Sequence, residues 1–201
     1  MGMKAIEVVT EVVRVNLGIA RVGFYVYAPK HNKKELHKSK QQGLILHDLL
    51  FHDPTKETLR LQRDRVTVAG LEEIIRTLRI GSKDSVIGVL SKTRIERRIF
   101  HIPMMDFSLP GHPQSLQEIR WLLERIGQKD GVILFSGRSY HYYGANLMDE
   151  AEWFNFLGDC LLSGLVDIRY IAHRLKDRCG ILRMSSCPLR PRVPSVVSII
   201  E

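Results

Sequence analysis

Val132-Ile133-Leu134-Phe135-Ser136-Gly137-Arg138-Ser139-Tyr140-His141-Tyr142-Tyr143-Gly144 is the stretch on which the fold of this chain turns. An apolar run stops at Ser-Gly-Arg-Ser and resumes as an aromatic run. That pattern predicts a strand edge or hairpin turn set against a core, not a solvated loop. Four residue types suited to phosphate fall inside it. Ser136 offers a hydroxyl, Gly137 lets backbone approach closely, Arg138 presents a planar fork of donors, and His141 presents an imidazole. Polar groups beside buried structure need partners. A nucleotide phosphate is one partner; a satisfied core histidine in a hairpin is the alternative.

Outward from this stretch, the chain alternates strand-like and helix-like segments. Residues 5–15 carry a helical apolar stripe, and 19–28 are β-rich up to Pro29. Residues 34–51 read as a basic helix, 59–68 as a strand and 71–79 as a short amphipathic helix. Residues 85–90 and 97–105 read as strands. Ser115-Leu116-Gln117-Glu118 has the form of a capping box, which predicts a helix to about residue 126. Residues 132–135 are a strand, 150–165 a helix, 167–171 an extended piece and 181–184 a last strand. Pro188, Pro191 and Pro194 predict an extended tail. Trp121 and Trp153 are expected in the core, His101 is expected to be structural rather than a ligand, and Tyr140, Tyr142 and Tyr143 are expected to alternate between core and surface. The expected class is α+β, a sheet with covering helices.

Composition narrows the function. The 201 residues include 30 Lys plus Arg against 22 Asp plus Glu, a net charge of +8. The basic residues cluster: Lys33, Lys34, Lys38 and Lys40 in one group, Arg94, Arg97 and Arg98 in a second, and an Arg-rich 169–192 region in a third. Clustered cations fit a polyanion such as DNA or RNA. No stretch approaches the length of an apolar membrane span, and no secretory h-region opens the sequence, so no membrane partner and a cytoplasmic location are expected. Cys160, Cys179 and Cys187 are odd in number and lack knuckle spacing, which excludes a disulfide framework and argues against zinc.

Three segments carry candidate chemistry. Ile102-Pro103-Met104-Met105-Asp106-Phe107-Ser108 ends an apolar strand on an acid. The Ser136–His141 segment follows, and Val166-Asp167-Ile168 supplies a second acid. Carboxylates at strand ends suit Mg²⁺ or Mn²⁺, which take oxygen ligands. The spacing is 35 residues from Asp106 to His141 and 26 more to Asp167.

In this order the segments resemble the archaeo-eukaryotic primase and primase-polymerase superfamily, in particular its compact plasmid-type members. That family reads Asp-x-Asp/Glu, then Ser-x-His, then apolar-Asp. Ile181-Leu182-Arg183-Met184 resembles a further family stretch. The resemblance covers about residues 99–195. It implies an RRM-like, palm-type sheet with covering helices over 96–187, an N-terminal α/β module over 1–95 and a Pro-rich tail over 188–201, as in primase small subunits. It also implies template-directed nucleotidyl transfer. Asp106 and Asp167 would be catalytic and, with Ser108, hold the metal. Ser136, Arg138, His141 and Arg183 would grip the incoming NTP or dNTP. The first two basic clusters would track a DNA or RNA template, and a helicase or other replication protein is the implied partner. One position departs: Ser108 stands where the family has a second carboxylate. A hydroxyl is a neutral, weak ligand, so binding of a second metal is expected to weaken unless Glu96, Asp149 or Glu150 substitutes. A DNA-binding replication protein without chemistry is the competing expectation. A relaxase-like nuclease lacks its His pair, and a Ser-His hydrolase lacks its nucleophile motif.

Overall fold

The computed structural model describes residues 2–29, 52 and 54–201. The expected basic helix over 34–51 and Lys33, Lys34, Lys38 and Lys40 lie outside these residues. The described chain is α+β, with five helices and two antiparallel sheets.

The larger sheet follows the order β2 (Leu59–Gln62), β1 (Arg21–Tyr27), β3 (Val86–Ile95), β4 (Arg98–His101), β8 (Met148–Asp149), with β9 (Ile181–Arg183) also paired to β3. The smaller sheet runs β10 (Ser195–Ile200), β6 (Gly131–Phe135), β7 (Tyr140–Gly144), β5 (Met104–Phe107). The helices are α1 (Ala5–Val15), α2 (Val68–Gly81), α3 (Pro113–Arg125), α4 (Glu150–Leu162) and α5 (Ile168–Asp177).

Strand side chains alternate between faces, so the smaller sheet serves two cores. Met104, Leu134 and Tyr143 pack with α1, α2 and the larger sheet. Met105, Phe107, Ile133, Tyr140 and Tyr142 pack with Ile119, Leu122 and Leu123 of α3 and Trp153, Phe156 and Leu157 of α4. Covering both faces explains why β7 is apolar at nearly every position, and why Tyr140, Tyr142 and Tyr143 are all buried rather than alternating with solvent. Trp153 is fully buried; burying a side chain of that size contributes about 3 kcal/mol.

Several local expectations are corrected. Helix α3 starts at Pro113 with His112 as its N-cap, so Ser115 is a buried residue inside the helix and not a cap. Proline pre-sets the first helical φ and has no N–H to leave unpaired, which moves the start upstream. Trp121 is 62% exposed on α3, not core. The strand expected over 59–68 ends at Gln62 and gives way to a 3₁₀ turn at Arg63–Arg65. Helix α2 begins earlier than expected because Thr67 caps it, accepting from the Gly70 N–H at 3.1 Å. Residues 168–171 are helical, not extended: Asp167 caps α5 by accepting from the Arg169 N–H at 2.8 Å, and Ile171 and Arg174 form its buried side. The extended tail is strand β10, paired along β6.

Candidate active site between the two sheets

Strands β5 and β7 pair so that Asp106 stands directly opposite His141. Both lie on the face of the smaller sheet that looks toward the larger one, alongside Met104 and Tyr143. The Asp106 side chain is 41% exposed and its Oδ1 lies 3.8 Å from the His141 Nε2; the His141 side chain is 6% exposed. Burial lowers the pKa of His141, the Asp106 charge pulls it back up, and the Arg183 charge lowers it again. The net result is a neutral imidazole at pH 7. Its Nδ1 is buried with no hydrogen-bond partner among the described residues.

Asp167 is brought to the same edge. Phe107 and Val166 form an antiparallel bridge, and the Ser108 N–H donates to the Leu165 carbonyl at 3.1 Å. Asp106 and Asp167 each lie one position from that bridge. The sequence separates these acids by 61 positions, 106 to 167; the bridge brings their segments together. Ser108, the next residue on the Asp106 side of the strand, is exposed. Both acids are oxygen donors of the kind that Mg²⁺ or Mn²⁺ takes, and the Asp167 carboxylate also caps α5. No group of three His, Cys, Asp or Glu with metal-ligand geometry occurs among the described residues. The suggested substitute acids are engaged elsewhere. Glu96 sits with φ of 53° at the β3–β4 turn, Asp149 caps α4, and Glu150 lies 3.8 Å from Arg178.

The turn between β6 and β7 is built by its serines. Ser136 Oγ donates to the Ser139 carbonyl at 2.9 Å, and the Ser139 N–H donates to the Ser136 Oγ at 3.3 Å. Gly137 takes φ of +96°, the left-handed region that favours glycine. Ser136 therefore shapes the turn, while Ser139 reaches the acid: its Oγ donates to Asp106 Oδ1 at 3.1 Å. The sequence reading overlooked Ser139. Its signal was the strand period of two, which puts residue 139 on the same face as His141. Arg138 is exposed at the tip of the turn. Arg94, Arg97 and Arg98 are exposed on the β3–β4 hairpin, where the Arg98 guanidinium lies 5.4 Å from the Phe100 ring centre.

Arg183 is placed at the site but faces the backbone. Its Nη2 donates to the Ser136 carbonyl at 2.9 Å, and its Nη1 donates to the Arg192 carbonyl at 2.8 Å and to the Ser185 carbonyl. It locks the β6–β7 turn to the strand that follows α5. Three tyrosines lie within electrostatic reach of Asp106: Tyr27 from β1, Tyr143 from β7 and Tyr170 from α5. Burial raises the Tyr27 phenol to about 12 and raises Tyr143 and Tyr170 further still; the Asp106 charge adds to the rise in all three.

A second polar cluster ties α5 to His52 and Thr55. His52 Nε2 meets Asp177 Oδ1 at 2.7 Å, His52 Nδ1 meets His173 Nδ1 at 2.5 Å, and Thr55 Oγ1 donates to Asp177 Oδ2 at 2.7 Å. Arg174 Nη2 reaches Asp177 Oδ2 at 3.2 Å. The three cysteines are free and buried, as expected of a chain without a disulfide framework.

Among the described residues, no helix is long and apolar enough to cross a membrane. No curated protein and no solved structure matches the chain. One family model does match it, over residues 67–192, a span that holds Asp106, the β6–β7 turn, His141 and Asp167. With well over half its length so matched, this chain belongs to the AEP-like family, archaeo-eukaryotic primase 1D-like.

Proposed function

We propose that the site around Asp106 and His141 binds a nucleoside triphosphate beside a nucleic-acid strand and supports nucleotidyl transfer of the primase-polymerase type. The observation that carries this is the pairing of Asp106 with His141, one residue from the Phe107–Val166 bridge that brings the Asp167 segment to the same sheet edge. In this reading the smaller sheet is the RRM-like, palm-type element. Residues 96–187 are the catalytic core and 1–95 the module that carries the basic template-binding stretch. Asp106 and Asp167, with Ser108 as a neutral third donor, hold Mg²⁺ or Mn²⁺. A bound divalent ion supplies charge stabilisation for the attacking and leaving oxygens of an in-line displacement at phosphorus. Ser139 holds the Asp106 carboxylate in place. Neutral His141 offers a hydrogen-bond donor to phosphate oxygens without adding a charge to be desolvated. Arg138, at the tip of the turn, meets the phosphate chain from the solvent side, while Ser136 and Arg183 keep that turn in shape. Arg94, Arg97 and Arg98 contact template phosphates.

The test is nucleotide titration with Mn²⁺, followed by primer extension on a DNA or RNA template. The expected result is a saturable nucleotide site and synthesis that both Asp106→Ala and Asp167→Ala abolish. Synthesis that survives both substitutions sinks the assignment.

Ser108 specifically favours a second reading, a nucleotide- and DNA-binding replication protein with little or no polymerase activity. It predicts saturable template binding with no product at any Mn²⁺ concentration.

A further inference from the structure

Two buried arginines lie within electrostatic reach of Tyr27, and they differ in what their donors meet. Arg183 has three of its N–H groups on backbone carbonyls. Arg174 is held by one arm only, Nη2 on the Asp177 carboxylate at 3.2 Å; its Nε and Nη1 are buried with no hydrogen-bond partner among the described residues. The residue is 8% exposed. Its guanidinium carbon lies 5.3 Å from the Tyr170 ring centre. The hydroxyls of Tyr170 and of Tyr143 are likewise buried and unpartnered; Tyr27 raises the pKa of both phenols and Tyr170 raises that of Tyr143, so the three rings lie within electrostatic reach of one another. Four unsatisfied donor atoms from α5 and β7 are thus neighbours, Nε and Nη1 of Arg174 and the two phenol hydroxyls. Buried donors are normally hydrogen-bonded, and a set without acceptors is the complement of an anion with several acceptor oxygens.

We infer that Arg174, Tyr170 and Tyr143 form a phosphate-binding site, and that Arg174, not Arg183, is its anion-binding arginine. This deepens the nucleotide reading and rests on it for the source of the phosphate, though not for its chemistry. Beyond the Nη2 held by Asp177, the guanidinium has N–H donors at Nε and Nη1 for phosphate oxygens, and the two phenols supply neutral donors to the remaining oxygens. Asp177, itself fixed by His52 and Thr55, is the positioning residue that orients the fork.

The experiment is calorimetric titration of the full chain, without metal, using pyrophosphate, a nucleoside triphosphate, the bare nucleoside, and an oligonucleotide with or without a 5′-phosphate. Arg174→Lys keeps the charge and loses the fork; it is expected to weaken phosphate binding by about tenfold or more. Tyr170→Phe and Tyr143→Phe remove only unpartnered hydroxyls. They are expected to weaken binding by about threefold each and to leave the melting temperature of the ligand-free protein equal or higher, because deleting an unsatisfied buried group relieves a cost. Loss of triphosphate binding in Arg174→Lys identifies the nucleotide as the source; loss confined to the 5′-phosphorylated strand identifies the strand end. Wild-type binding of pyrophosphate or 5′-phosphate without triphosphate binding sinks the nucleotide reading and sustains this one. Two results overturn the site: no phosphate compound binding the wild type, or Arg174→Lys binding all of them as the wild type does.

Discussion

Asp106 and His141 are direct partners across β5 and β7, with Oδ1 and Nε2 3.8 Å apart, and Ser139 bonds the same carboxylate oxygen at 3.1 Å. The acid is therefore aimed before any ligand arrives. Ser139→Ala removes that hydroxyl while keeping the turn hydrogen bond from the Ser139 N–H. A fall in synthesis of about fivefold, with an unchanged melting temperature, is expected, as for one neutral hydrogen bond to a charged group. Primer extension with Mn²⁺ checks it; an unchanged rate removes Ser139 from the site.

Ser108 is exposed, so a carboxylate there meets no packing cost. In Ser108→Asp a third oxygen ligand would stand one strand period from Asp106. Tighter Mn²⁺ binding and faster synthesis are expected, measured by manganese electron paramagnetic resonance and primer extension. Unchanged metal affinity would mean that residue 108 does not face the metal.

His101 reports on acid stability. Its Nδ1 lies 3.0 Å from Ser91 Oγ, its ring stacks on Trp153 at 4.2 Å, and its Nε2 is buried and unpartnered. Burial, with a smaller contribution from the Lys92 charge, lowers its pKa from 6.5 to about 4. The native state thus prefers the neutral ring. Stability is full above pH 6.5, falls as protons bind the unfolded chain, and levels off below about pH 4, a loss of about 3 kcal/mol. Urea unfolding at pH 7 and pH 4.5 is the check. His101→Gln should be less stable at pH 7 and show a shallower pH dependence; an identical slope would remove His101 as a cause.

Asp177 joins α5 to Thr55 and His52. Burial pushes its carboxyl up, but the hydrogen bonds from Thr55 and His52 and the Arg174 charge outweigh this and hold it below the usual carboxylate range. Its contribution is present above the unfolded carboxylate pKa and is lost as pH falls through the lower, folded value. Asp177→Asn leaves the Arg174 cation buried without its counter-charge, and a loss of about 3 kcal/mol is expected. Hydrogen exchange should show the Thr55 amide, which donates to Asp177 Oδ1, deprotected. Unchanged protection there would mean the cluster does not hold this segment.

Gly137 carries φ of +96°, and a Cβ at that position would lie 2.9 Å from the Arg192 Cβ. Gly137→Ala combines left-handed strain with a steric contact, so a loss of about 1–2 kcal/mol is expected. Thermal unfolding tests it; a stability equal to wild type would mean the turn tolerates another conformation.

The sequence alone determined the parts of this protein that depend on local pattern. Apolar period marked the two strands around Ser136–Ser139, and the order Asp106, His141, Asp167 pointed to the family. Those signals are short-range or ordinal, and they survive without knowledge of the packing. What only the tertiary structure decided depends on partners distant in the chain. The bridge from Phe107 to Val166 brings the Asp167 segment to the Asp106 strand. Arg183 proved to be a brace because its acceptors come from residues 136, 185 and 192. Arg174 was one cation of the Arg-rich 169–192 region until that segment folded as a helix and buried it. A side chain's chemistry is written in its residue type. Whether its hydrogen bonds are already taken is settled by which backbone groups the fold brings within about 3 Å of it.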